Sequence, residues 1–303
     1  RTSPLAVVDS NMGMNIGQYQ QGGVAHSSVD LDYLWDLGIR KLRIASGSPS
    51  YSAGVTACRN LALAAKAKGF HVMFQNALGG FTATDAAWDT LKTQTRTFCD
   101  WARDNGIDEV NIFNEIDYSQ TVGGGLTNSV DKQIALAEEL ISEYPTLDFC
   151  VSIAQSSMDY LGAPDGWIEQ AATVNALGLR VCYNVYGDNG NFEQFKDRID
   201  DLIAVYPDLR ITEWNINSNW SSFPTSITEQ NARIQEKFDF LQLRGLEHYF
   251  FTWSWEQAND QFALKKADGT IRAWKNVLFQ NPTPRPAAIG RSAATNRPTI
   301  AVT

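Results

Sequence analysis

The chain has 303 residues, 44% of them apolar, which is ample for one large core of the size that alternating strand–helix barrels build. Its 34 acidic and 25 basic side chains leave a net charge of −9, and no Lys/Arg cluster forms a phosphate-binding stripe, so nucleic acid is excluded as an expected partner and a neutral polymer fits better. No apolar run approaches the roughly 18 residues that a membrane span requires.

Strand-like runs, apolar and β-branched, recur near residues 11–16, 41–45, 70–75, 109–114, 148–153, 179–185, 208–213 and 247–253. Their interval of roughly 30–40 residues matches one strand, one helix and two loops per unit. A helix is expected over 86–103, with Trp88, Leu91, Thr95, Phe98 and Ala102 on one stripe and Asn105-Gly106 as its stop. A second is expected after the seventh strand, where Ser226-Ile227-Thr228-Glu229 reads as a capping box ahead of Ile234, Phe238 and Leu241. Gly38, Gly69, Gly106 and Gly245 each stand between a helix end and an apolar residue that opens the next strand. These signals predict an α/β fold: a single (β/α)8 TIM barrel over 1–280, then an irregular Pro/Ala/Thr-rich linker or tail over 281–303.

Cys58, Cys99, Cys150 and Cys182 show no CxxC spacing, which argues against a zinc site. Cys58 and Cys99 fall on neighbouring predicted helices where pairing is conceivable, but four buried thiols is the reading that free-cysteine burial favours. His26, His71 and His248 are scattered, the last two at strand starts, so neither metal-dependent hydrolysis nor a Ser-His-Asp triad is expected. Gly123-Gly124-Gly125 lacks the Lys-Ser/Thr of a phosphate loop and reads as a flexible rim, and Asn219-Trp220-Ser221 is a formal glycosylation sequon. The chain starts at Arg1 without a charged segment leading into an apolar one; either a leader has been removed or none existed, and secretion is the expectation. No cofactor is expected, and the protein is expected to act as a monomer.

Two carboxylates carry the functional signal. Glu115 and Glu213 each end an apolar strand-like run, which is where barrel enzymes keep their chemistry. Retaining cleavage of a glycosidic bond needs a proton donor and a carboxylate nucleophile roughly 5–5.5 Å apart, and a closed barrel can bring two distant strand ends to that separation. Asn114, directly before Glu115, suits a sugar hydroxyl; Trp214, directly after Glu213, offers a flat face to a pyranose ring.

With Asn114-Glu115 on a fourth strand and Glu213 on a seventh, the chain resembles the retaining glycoside hydrolases of clan A, family 5-like or family 39-like. The resemblance covers nearly the whole barrel through motifs. It implies Glu115 as acid/base and Glu213 as nucleophile, Arg43 as the second-strand arginine that keeps the nucleophile ionised, and Tyr186 as the sixth-strand tyrosine that contacts it. Asn184 stands where several of these families carry histidine. Trp253 and Trp255 resemble the eighth-strand tryptophan that floors the subsite of the cleaved sugar. Gln75 and Asn76 end the third strand, where relatives place a sugar-binding residue, and Trp220 can stack a further unit. Asp117, Asp188 and Glu256 lie in loops on the same face, where solvated charge is the default. The expected substrate is an oligo- or polysaccharide, with endo action on a β-glucan or mannan. Exo-acting β-glycosidase of the β-xylosidase type and a non-catalytic sugar-binding barrel remain open alternatives.

Overall fold

The computed structural model describes residues 11–16, 29–46, 52–76, 83–117, 125–154, 166–186, 192–216, 226–251, 264 and 270–279. Eight strands, β1 (Met12–Ile16), β2 (Lys41–Ala45), β3 (His71–Gln75), β4 (Glu109–Asn111), β5 (Asp148–Ile153), β6 (Arg180–Asn184), β7 (Arg210–Trp214) and β8 (Glu247–Phe251), pair in parallel in chain order. β8 returns to β1, so the barrel is closed and no sheet edge is left open. The helices described around it are α1 (Leu31–Asp36), α2 (Ser52–Lys68), α3 (Trp88–Asp104), α4 (Ser129–Glu143), α5 (Gly166–Glu169), α6 (Ala171–Ala176), α7 (Phe192–Val205), α8 (Ile227–Arg244) and α9 (Trp274–Leu278). None of the described helices is long and apolar enough to cross a membrane. The fold is the (β/α)8 barrel that the repeat interval predicts; the segment 281–303 lies outside the described residues.

The expected helix over 86–103 is α3, with Leu91, Thr95, Phe98 and Ala102 buried. α8 begins at the expected cap, where Ser226 Oγ accepts from the Glu229 amide over a long 3.5 Å. The Glu229 carboxylate accepts from Arg233 at 2.6 Å, one turn along the helix. Gly245 ends α8 with φ of 65°, a left-handed conformation costly to a residue with a Cβ.

Alternation along the strands divides the core into two parts. Leu42, Ile44, Phe74 and Phe250 belong to the large cluster between barrel and helices, where Phe74 stacks on Phe98 of α3 at 5.1 Å. The opposite faces fill the barrel in layers. At the N-terminal end lie Lys41, Glu109, Arg180, Arg210 and Glu247, cross-linked by ion pairs. Above them Met73, Cys150, Cys182 and Tyr249 form a small separate cluster. Gly13 makes room for it, since a Cβ there would meet the Tyr249 ring at 2.6 Å. All four cysteines are free and buried, and burial pushes the Cys58 and Cys99 thiols up to about 12.

Glu109 is fully enclosed at the base of the barrel. Burial pushes its carboxyl up, but hydrogen bonding from His71 and the charges of Arg210 and Arg180 outweigh this and hold it at about 2. The third layer, at the C-terminal mouth, is mostly polar among the described residues, with Phe251 against the Tyr186 ring as its apolar member.

Candidate active site

Alternation aims Asn15, Arg43, Gln75, Asn111, Ser152 and Asn184 into the mouth of the barrel, and all six are buried. On β7 the alternation is interrupted. The register shifts between Tyr183 and Asn184 against β6 and between Ile211 and Trp214 against β8, the mark of a bulge. The bulge lets two consecutive residues, Thr212 and Glu213, bond toward the mouth: Thr212 Oγ1 donates to Asn184 Oδ1 at 2.8 Å, and Glu213 accepts from Arg43.

Glu213 is held from both sides. Arg43 Nη1 donates to its Oε1 at 2.7 Å and the Tyr186 hydroxyl to its Oε2 at 2.6 Å. The second arm of Arg43, Nη2, donates to Asn111 Oδ1 at 3.1 Å and Asn114 Oδ1 at 2.9 Å. The planar guanidinium thus bridges Glu213 and the two asparagines with two different nitrogens, a span that one ammonium nitrogen does not cover. Burial, together with the adjacent Glu213 charge, pushes the Tyr186 hydroxyl well above the usual tyrosine range, so it stays a donor.

Glu115 lies beyond the strand. β4 ends at Asn111, three residues earlier than the apolar run suggests, although the Ile112 amide still bonds the Cys150 carbonyl at 3.0 Å. The chain then turns, and Glu115 takes a left-handed backbone with φ of 49°, which costs a non-glycine residue about 1–3 kcal/mol and is common where function fixes geometry. Its half-buried carboxyl accepts from Asn184 Nδ2 at 2.8 Å, and the same amide donates to Asn114 Oδ1 at 3.0 Å. Burial first and the Glu213 charge second push the Glu115 carboxyl up to about 8; Asp117 adds to this, while the Asn184 hydrogen bond and Arg43 oppose it. The site thus holds two carboxylates in one hydrogen-bonded network, one of which favours its proton near neutrality.

Several sequence-level expectations need correction. Trp214 is 0% exposed and faces away from the mouth, stacked on Phe238 with its Nε1 donating to His248 Nδ1 at 3.1 Å. The bulge sets this: Thr212 and Glu213 both bond toward the mouth, and the outward direction falls to Trp214. Asn76 faces outward by the ordinary period of two: it is buried and donates to Thr95 Oγ1 on α3 at 3.1 Å, while Gln75 takes the inward position. Asp117 is not a solvated loop charge. It is buried and accepts from the Ala154 amide at 3.0 Å and from Trp167 Nε1 at 3.1 Å. Trp220, Trp253, Trp255, Asp188, Glu256, Gly123, Gly124 and the sequon lie outside the described residues.

The structure adds members that the sequence reading missed. Asn111 accepts from Arg43 and from Ser152 Oγ at 3.0 Å, and Asn15 Nδ2 donates to the Thr212 carbonyl at 2.8 Å. Asn111 shares the inward parity of Glu109, so alternation alone points to it. Thr212 shares the inward parity of Arg210 in the same way.

No known family profile matches this sequence, and no curated protein matches it. Solved structures do match in fold. The catalytic domain of an endoglucanase from Thermobifida fusca is 16% identical with a TM-score of 0.60, covering 86% of this chain and 88% of that one. A β-mannanase from Streptomyces thermolilacinus, solved with mannohexaose, is 15% identical with a TM-score of 0.60, covering 90% and 87%. An FMN-binding β-glucuronidase from Facaelibacterium prausnitzii L2-6 is 14% identical with a TM-score of 0.58; 92% of this chain is covered, but it spans only 47% of that longer protein. The barrel is therefore similar in fold to those of clan A glycoside hydrolases.

Proposed function

We propose that the chain is a retaining glycoside hydrolase that cleaves β-glycosidic bonds by double displacement. The observation that carries this reading is the opposite setting of two carboxylates in one network: Glu115 is raised to about 8, while Glu213 is ion-paired to Arg43. Enzymes separate acid from nucleophile by such differences in surroundings. Glu115, protonated, donates to the departing glycosidic oxygen as Glu213 attacks the anomeric carbon and forms a glycosyl ester. The leaving sugar departs, Glu115 takes a proton from the incoming water, and the ester bond to Glu213 breaks with net retention. Asn114 and Asn184, beside Glu115, are placed for sugar hydroxyls as well as for the acid.

For the substrate we propose a β-linked glucan or mannan cut internally. Support comes from the endoglucanase and β-mannanase among the structures of like fold, whose lengths this chain nearly matches. Action on such a polymer fits a secreted protein. The test is hydrolysis of purified β-glucans, mannans and xylans by the wild type, with product size and anomeric configuration followed in time. Oligosaccharides released first in the β configuration support the reading; monosaccharide alone would turn it to exo action, and no turnover on any glycoside would remove it.

A further inference from the structure

Lys237 is a buried cation that the mechanism above does not use. It lies on α8 among Ile234, Phe238 and Leu241, on the stripe packed against the barrel, and is 4% exposed. Its ammonium donates to three backbone carbonyls: that of Tyr186, that of Asn215 at 2.8 Å and that of Ile216 at 2.9 Å. The Phe195 ring of α7 adds a cation–π contact at 5.0 Å.

The three carbonyls belong to the two segments that hold Glu213. Tyr186 donates its hydroxyl to the Glu213 carboxylate at 2.6 Å, and Asn215 and Ile216 follow Glu213 by two and three residues. Asn215 carries the brace onward, accepting from the Ile216 amide at 2.6 Å and donating to the Phe251 carbonyl at the end of β8. The strand-end carbonyls here lie just past the last residues of β6 and β7, next to a bulge. Burying a lysine is costly in desolvation, and an apolar residue would fill the stripe without that cost. The carbonyl cage explains why a cation stands there.

We propose that Lys237 is a positioning residue, an internal cation that clamps the ends of β6 and β7 so that Tyr186 and Glu213 keep their mutual geometry. The cage it occupies would then accept a small alkylammonium ion once the side chain is removed. The catalytic half of this inference rests on the glycosidase reading; the cage does not.

The test compares wild type, Lys237→Ala and Lys237→Met on a glycoside that the wild type hydrolyses, with and without ethylammonium or, as a neutral control, ethanol. Thermal midpoints are measured for each. Misplacing a catalytic group by about 1 Å costs on the order of 100-fold, so a fall in kcat of tenfold or more with KM within about twofold is expected for both variants. Ethylammonium, but not ethanol, should restore part of the Lys237→Ala rate saturably and raise its Tm, and should leave Lys237→Met unchanged because the methionine fills the cage. Wild-type kcat in Lys237→Met, or equal effects of ethanol and ethylammonium, would overturn the proposal. If Lys237→Ala does not fold, Lys237→Met decides: the kcat loss with unchanged KM and near-UV circular dichroism supports it. A wild type inactive on every glycoside would defeat the glycosidase reading, while the ethylammonium-dependent Tm of Lys237→Ala would still decide the cage.

Discussion

Asn184 Nδ2 donates to Glu115 Oε1 at 2.8 Å, so the acid/base candidate beyond β4 is held by an amide from β6. Thr212 fixes the other end of that amide by donating to Asn184 Oδ1 at 2.8 Å. The bond favours the charged carboxylate and is one of the two influences opposing the raised Glu115 pKa. Asn184→Leu should therefore move the alkaline limb of kcat/KM upward from about 8 and lower kcat. The pH–rate profile checks this; a limb that stays in place would show that the amide does not act on Glu115.

Stability should carry the same signature. Burial and the Glu213 charge raise the Glu115 carboxyl from an ordinary 4.5 to about 8, so the folded state binds this proton more tightly than the unfolded chain. The contribution is complete below the unfolded value and is lost as pH rises through the folded value, a window of 4.5 to about 8. Glu115→Gln stays neutral and escapes the loss. In urea titrations it should gain on the wild type between pH 4 and pH 8 by at least ~1 kcal/mol, since one pKa unit corresponds to about 1.4 kcal/mol. An unchanged difference across that range would contradict the raised pKa.

Arg43 is fully buried, and its removal would leave Glu213 enclosed without its cation. Breaking one side of such a pair costs about 3–5 kcal/mol, so Arg43→Met should lower stability on that scale and reduce kcat further than folding explains. Arg43→Lys should recover little, because Arg43 serves Glu213 from Nη1 and Asn111 and Asn114 from Nη2, a span that one ammonium nitrogen does not cover. Denaturant midpoints and kcat of the soluble fraction decide; full activity in Arg43→Lys would contradict the bridging role.

Trp214 stands beside Glu213 in sequence yet belongs to the packing between β7, β8 and α8. Trp214→Ala should cost about 3–5 kcal/mol as a core truncation. The milder Trp214→Phe should leave KM within about twofold of wild type, because the ring does not meet the sugar. A large KM increase in Trp214→Phe would return the residue to the binding site.

Much of this architecture was legible beforehand, for physical reasons. Parallel strands buried on both faces read as continuous apolar runs, and glycine stops at Gly38, Gly69, Gly106 and Gly245 mark four of the returns to the barrel. The pairing of Asn114-Glu115 with Glu213 was visible because both follow such runs. Less was legible where the backbone departs from regularity. The left-handed turn at Glu115 and the bulge at Thr212–Glu213 leave no residue-type signal, so the change of direction between Glu213 and Trp214 was hidden. Asn76 and Trp214 were misread because adjacency to an inward residue does not give direction: alternation turns Asn76 outward, and the β7 bulge turns Trp214 outward. Lys237 did leave a sign, a lysine on an apolar helical stripe, whose meaning depends on carbonyls that only the fold brings together.

In the proposed mechanism Glu213 forms the bond to the sugar. Incubating the wild type with an activated 2-deoxy-2-fluoro-β-glycoside of its preferred sugar, then mapping the labelled peptide by mass spectrometry, tests it directly. Stoichiometric inactivation with the sugar attached to Glu213, and no labelling in Glu213→Ala, is the expected result. Labelling at another carboxylate would contradict it.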